Sequence, residues 1–129
     1  MKYVYLAGAI QDEPDPTTWR QQAANLMPSD WKAIDPTKHE CDYYTIQELV
    51  QLDIDLICKC HAMLAKVDKP SWGTAMEIRM AHLLTIPILA FEAPEKRSPW
   101  LIAHVDGFFV SLPNAIQALE RLDDRISYP

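Results

Sequence analysis

Lys2-Tyr3-Val4-Tyr5-Leu6-Ala7-Gly8 is a β-branched and aromatic run that stops at a glycine, and it reads as a buried strand feeding a loop at the start of a site. Working outward, residues 8–15 form that loop. Asp15-Pro16 then supplies an N-cap acceptor and a proline for the first helical position, which predicts a surface helix to about Met27. A strand over Trp31–Ile34 and an irregular stretch over 35–44 follow. Thr45-Ile46-Gln47-Glu48 is a capping box opening a helix to about Lys59, after which residues 61–66 read as the third strand.

Pro70 and Gly73 mark a loop into a helix over 74–84, and the Ile- and Leu-rich residues 85–91 give a fourth strand. Residues 92–99 read as a loop. A last strand near 108–111 leads through Pro113, at a first helical position, into an amphipathic helix ending near Asp123. Strands alternating with helices at this spacing predict an α/β domain spanning residues 1–129, with a mostly parallel five-stranded sheet covered on both faces. This is a flavodoxin-like or Rossmann-like three-layer sandwich, in which ligands bind beyond the carboxyl ends of the strands. The loops after strands one, three and four are therefore where chemistry is expected.

Composition narrows the function. The 129 residues are 49% hydrophobic and 23% charged, which excludes a disordered chain and leaves room for one core. No apolar run approaches the roughly 20 residues of a membrane span, and the start of the chain lacks a basic segment followed by a long apolar stretch. The expectation is a cytoplasmic protein without a membrane partner. Twelve Lys and Arg stand against 18 Asp and Glu, a formal net charge of −6, so the footprint of a nucleic-acid binder is missing. Cys41, Cys58 and Cys60 make an odd count in a chain with an adequate core, so reduced thiols are expected. Together with His39 or His61 they offer a conceivable zinc set, but Cys58-Lys59-Cys60 lacks the two-residue gap of a zinc knuckle, and no metal is expected.

Three polar positions break the apolar pattern. At about 100° per residue Ile46, Leu49, Val50, Ile54 and Ile57 share one face of the second helix, and Asp53 falls in its middle while Asp55 points away. A carboxylate there either reaches a cleft or pairs with a nearby base or amide. Ser71-Trp72-Gly73 leads into a helix N-terminus, whose free N–H groups and dipole suit a phosphate or carboxylate; Ser71 is a ligand for that seat or a plain N-cap. Glu77, about four residues into the predicted helix, faces inward with Ala81 and Leu84. It is either a nucleophile toward an electrophilic sugar carbon or the last member of a Thr74-Ala75-Met76-Glu77 capping box.

Tyr5 is placed to reach that glutamate from strand one, with core packing the simpler alternative. Met76, Met80 and Leu83 read as core, His61 as a strand-start residue and His82 as a surface residue. Trp72 and Trp100 border the site loops, where they would stack on a base or pack at the rim.

Val4-Tyr5-Leu6-Ala7-Gly8, Asp53 with Cys60-His61-Ala62, and Ser71-Trp72-Gly73-Thr74-Ala75-Met76-Glu77-Ile78 together resemble the nucleoside 2-deoxyribosyltransferase family, which includes 2'-deoxynucleoside 5'-monophosphate N-glycosidases. The likeness runs along most of the chain and fades after about Phe91. It implies a flavodoxin-like enzyme, usually a homo-oligomer of two or more subunits, acting on a small-molecule nucleoside or nucleotide and a nucleobase without cofactor or metal. By matching position, Glu77 takes the nucleophile's role, Asp53 that of its acidic partner and Tyr5 that of the tyrosine orienting the glutamate. Gly8, Ala9, Ile10, Ser71, Trp72 and Gly73 line the sugar or phosphate end. Serine at position 71 matches members that hydrolyse monophosphates, where an aspartate would repel the phosphate. The chain departs from the pattern at His61, where the family commonly has aspartate, and at Arg79, where it has glycine. Nor does His104-Val105-Asp106-Gly107 offer the asparagine that transferases lend to a neighbouring subunit.

Overall fold

The computed structural model describes residues 1–39 and 44–126, so Cys41 lies outside the described residues. Five strands, β1 (Lys2–Ala7), β2 (Trp31–Ile34), β3 (Ala62–Lys66), β4 (Ile88–Phe91) and β5 (Gly107–Phe109), form one parallel sheet in the order β2-β1-β3-β4-β5. Register runs Val4 to Ala33 on one side of β1 and Val4 to Ala62 on the other. Because helices cover both faces of the sheet, residues Val4 to Ala7 of the central β1 are buried without alternation.

The period of two still sorts those residues between two cores. Val4, Leu6, Leu64, Leu89 and Phe91 pack with Trp19 and Ala23 of α1 (Thr18–Leu26) and with Leu112, Ala115, Ile116 and Leu119 of α5 (Leu112–Ile126). Tyr5, Ala7, Met63, Ala65, Ile88 and Ala90 face the other way, onto Ile57 of α2 (Ile46–Cys58) and Ile78 and Ala81 of α3 (Trp72–Leu83), with Leu101 of α4 (Pro99–His104) at the edge. This is the three-layer α/β sandwich expected. The strand order reverses between β1 and β3, so the loops after those strands diverge and leave a crevice.

The capping box at Thr45 forms as read, with Thr45 Oγ1 accepting from Glu48 N at 3.1 Å and Thr45 N donating to Glu48 Oε1 at 3.3 Å. Several boundaries differ from expectation. Asp15 does not cap α1 directly. Its Oδ1 accepts from Thr17 N and Thr18 N, closing a turn that holds Pro16, and the helix begins two residues later. Thr85 takes a left-handed φ of 59°, which delays β4 to Ile88. The predicted 92–99 loop runs into α4, because Ser98 Oγ accepts from Trp100 N and Pro99 fits the first turn. Strand β5 starts one residue early, and α5 extends past Asp123 to Ile126. A short 3-10 turn, Pro36–His39, occupies part of the stretch expected to be irregular. Among the described residues, no helix is long and apolar enough to cross a membrane.

Candidate active site

The crevice at the carboxyl ends of β1 and β3 is a cavity of about 630 Å³. That is room for a nucleoside-sized molecule. Its floor is Gly8, Ala9 and Ile10 from the β1 loop, one wall is Leu49, Val50, Asp53, Ile54 and Ile57 of α2, and the other is Ser71, Trp72, Gly73, Thr74, Met76, Glu77 and Met80 of α3 and its approach. All nine site residues predicted from sequence are thus brought together: eight line the cavity, and Tyr5 reaches it through Glu77.

Glu77 sits in the second turn of α3, because the helix starts at Trp72 rather than Thr74. Ser71, extended at φ −151°, is the N-cap; its Oγ accepts from Thr74 N at 3.4 Å and from Thr74 Oγ1 at 3.1 Å. The Thr74-to-Glu77 capping box therefore does not form, and Glu77 is left for other work. Tyr5, whose ring is fully buried in the sheet, donates its hydroxyl to Glu77 Oε2. Ser71 combines both readings open to it, since it caps α3 and also lines the cavity.

Electrostatics at this pair are set by desolvation. Burial lifts the Glu77 carboxyl to about 7; the Tyr5 hydrogen bond pulls down, the nearby Asp53 charge pushes up, and the Arg20 charge pulls down again. Burial, reinforced by the charge and hydrogen bond of Glu77, holds Tyr5 far above its ordinary value, so it remains a hydrogen-bond donor. The result is a carboxylate poised near neutrality, oriented by a phenol that stays protonated.

Two features escaped the sequence reading. Arg20 looks like a surface residue in a mixed helix, yet it has no exposed surface. It donates from Nε to Leu6 O at 3.2 Å, from Nη1 to Pro16 O at 2.6 Å and from Nη2 to Gly8 O at 2.9 Å, with Asp35 Oδ1 at 3.9 Å. The signal was its place between Trp19 and Ala23, the two buried apolar residues of α1. Lys69, also unremarked, lines the cavity and pairs with Glu13, tying the β3 loop to the β1 loop.

The glycines divide. A Cβ on Gly8 would lie 2.9 Å from the Trp19 ring and 3.4 Å from Arg20 Nη2, so a close approach demands glycine there. A Cβ on Gly73 would meet nothing within 4 Å; only open cavity adjoins it. Met76 and Leu83, read as core, are instead 69% and 64% exposed, because the inward side of α3 is Thr74, Ile78 and Ala81, all buried, with Glu77 and Met80 partly buried beside them. Ile46 and Val50 are likewise exposed, so of the α2 stripe only Ile57 is fully buried in the core, while Leu49, Val50 and Ile54 border the cleft. Trp72 and Trp100 both stand at the rim, Trp72 against the main cavity and Trp100 against a second one of about 550 Å³ between α3 and α4. His61 accepts from Tyr3 N, and the His82 ring lies tilted against His104 with centroids 4.6 Å apart. Cys58 is exposed and Cys60 buried, its thiol pushed up to about 12 by burial.

No family profile and no curated protein matches the sequence. Solved structures do match. A 2-deoxyribosyltransferase from Bacillus psychrosaccharolyticus superposes with a TM-score of 0.69 at 16% identity, over 98% of this chain and 92% of that one. A CMP N-glycosidase from Clostridium botulinum gives 0.64 at 22% identity, over 93% and 99%. The 2-desoxiribosyltransferase of Leishmania mexicana gives 0.59 at 26% identity, over 70% and 64%. The chain shares its fold with deoxyribosyltransferases and a CMP N-glycosidase, and this supports the family resemblance carried by Tyr5, Asp53 and residues 71–78.

Proposed function

We propose that this protein cleaves the N-glycosidic bond of 2'-deoxynucleosides and transfers the deoxyribosyl group to another nucleobase. The observation that carries this reading is the Tyr5 hydroxyl hydrogen-bonded to Glu77 at the cavity wall, with Asp53 opposite on α2. A Glu77 oxygen attacks the anomeric carbon as the bond to the base nitrogen breaks, and the electron pair leaves with the base. Asp53 in its acid form delivers the proton that the departing nitrogen needs. An incoming base then attacks the glycosyl ester from the vacated face, loses its N–H proton to Asp53 and frees Glu77, so two displacements retain configuration. Tyr5 steadies the Glu77 oxygen that is not bonded to the sugar.

A second reading, hydrolysis of deoxynucleoside 5'-monophosphates with water as acceptor, is favoured by the same helix N-terminus. Ser71 and Gly73 border the cavity without adding a carboxylate there, and Lys69 lines it as well. The test is chromatographic: each deoxynucleoside and each 5'-monophosphate is incubated with and without a second free base, with Glu77→Ala as control. New nucleosides formed only with added base support transfer, free base released from monophosphates without acceptor shifts the assignment to hydrolysis, and no turnover in any mixture refutes both.

A further inference from the structure

Arg20 is the only Lys or Arg without exposed surface among the described residues, and it belongs to α1, on the face of the sheet opposite α3 and Glu77. A cation in that position is costly unless every strong partner is present, and an apolar residue would fill the same space more cheaply. Its partners are not scattered. Leu6 O and Gly8 O flank Ala7, the last residue of β1, so the planar guanidinium clasps the turn where the strand carrying Tyr5 becomes the cavity floor. A Cβ on Gly8 would reach Nη2 at 3.4 Å, ordinary contact, and would collide with the neighbouring Trp19 ring at 2.9 Å, so the guanidinium and its helix pack directly on the turn. Asp35, after β2, is the counter-charge, itself fixed by Thr37 N at 2.9 Å and Thr37 Oγ1 at 2.6 Å.

We propose that Arg20 is a positioning residue: it acts through the end of the sheet, clasping Leu6 O and Gly8 O and so fixing the turn that aims Tyr5 at Glu77. The inference rests on the reading that Glu77 is the reacting group. The charged and titratable groups that act on Glu77 are Tyr5 from β1, Asp53 from α2 and, from across the end of the sheet, Arg20 of α1, whose charge alone among them favours the ionised form. Facing Arg20 is Asp35. Lys69, from the β3 loop, lines the cavity but is engaged by Glu13.

The test is a carbon-13 NMR titration of the Glu77 side-chain carboxyl, assigned by its loss in Glu77→Gln, run beside the pH profile of base release. In Arg20→Gln the Glu77 midpoint rises by about one unit, and the acid limb of kcat/KM moves with it. Arg20→Lys, which restores charge without the fork, returns the midpoint to within about half a unit of wild type while kcat stays low. Asp35→Asn strips the counter-charge and moves the midpoint downward, the opposite direction. An unchanged midpoint in Arg20→Gln, or an Arg20→Lys that titrates like Arg20→Gln, overturns the proposal. Should Arg20→Gln fail to fold, Asp35→Asn decides: a lower midpoint supports the proposal and an unmoved one refutes it. Because the titration needs no turnover, shifted midpoints in a protein that releases no base would retain the electrostatic role of Arg20 and discard the glycosidic reaction.

Discussion

The two faces of the sheet obey the same alternation but end differently. On the α1 and α5 side the helical apolar stripe is sealed: Trp19, Ala23, Leu112, Ala115, Ile116 and Leu119 are all buried against β1, β3 and β4. On the α2, α3 and α4 side only a few helical residues, chiefly Ile57, Ile78 and Ala81, close onto the strands, while Val50, Trp72 and Met76 stand 52%, 86% and 69% exposed around the cavity. Apolar periodicity reports that a helix turns one face toward something apolar. It does not report whether that something is protein or a ligand's space. The closed face holds the molecule together, and the open face trades core for a cleft into which a carboxylate projects.

The largest expected effect lies at the open face and leaves folding intact. Glu77→Ala should lower base release by at least about 10³-fold, with little change in KM, because it removes the atom that forms the intermediate. A variant that kept more than a tenth of wild-type turnover would place the chemistry elsewhere. The closed face should give the reverse. Leu119→Ala empties a fully buried site between α5 and the sheet, and urea denaturation should show a loss of about 2 to 5 kcal/mol. Its kcat below the unfolding transition should be close to wild type; a large fall in kcat would show that the two faces are not separable.

The contrast also explains what was legible in the sequence. Strand β1, the capping box at Thr45 and the strand-helix alternation are local patterns, and they sufficed for sheet, layers and the crevice at the carboxyl ends. Glu77, Asp53 and Ser71 stood out because polar atoms in an apolar frame need a reason. Arg20 did not, because its partners are backbone carbonyls 4 to 14 residues away that no side-chain pattern encodes. Likewise, choosing between Ser71 and Thr74 as the cap of α3 required the φ of Ser71, and that choice decided whether Glu77 was spent on capping. Met76 and Leu83 were misassigned for a different reason: hydrophobicity fixes preference for burial, and α3 simply has less sheet to cover than it has apolar residues.

Desolvation at the open face makes stability depend on pH in a defined direction. Burial raises Glu77 from 4.5 to about 7, so between those values the folded chain holds a proton that the unfolded chain has lost. This contribution is fully present below the unfolded value and disappears as pH rises through about 7. Glu77→Gln, which is neutral throughout, should therefore be more stable than wild type at pH 8 by roughly 3 kcal/mol and about equal to it near pH 4. Thermal unfolding at the two pH values checks this. Equal stability of the two proteins at pH 8 would mean that Glu77 is solvated better than its surroundings indicate.

The smallest effect is the sharpest discriminator between the faces. Met76 is apolar, helical and 69% exposed at the cavity rim, so Met76→Ala deletes almost no buried surface and should change stability by less than about 0.5 kcal/mol. The same kind of truncation at Leu119 on the closed face costs several times more. If the exposed side chains of the open face exist to meet a substrate, Met76→Ala should instead raise KM for the base-bearing substrate by a few fold while leaving kcat alone, since contacts made equally in ground and transition states affect binding only. A Met76→Ala variant with wild-type KM on every turned-over substrate would confine the binding surface to the deeper wall of Leu49, Ile54 and Met80, and the rim would then have no part in recognition.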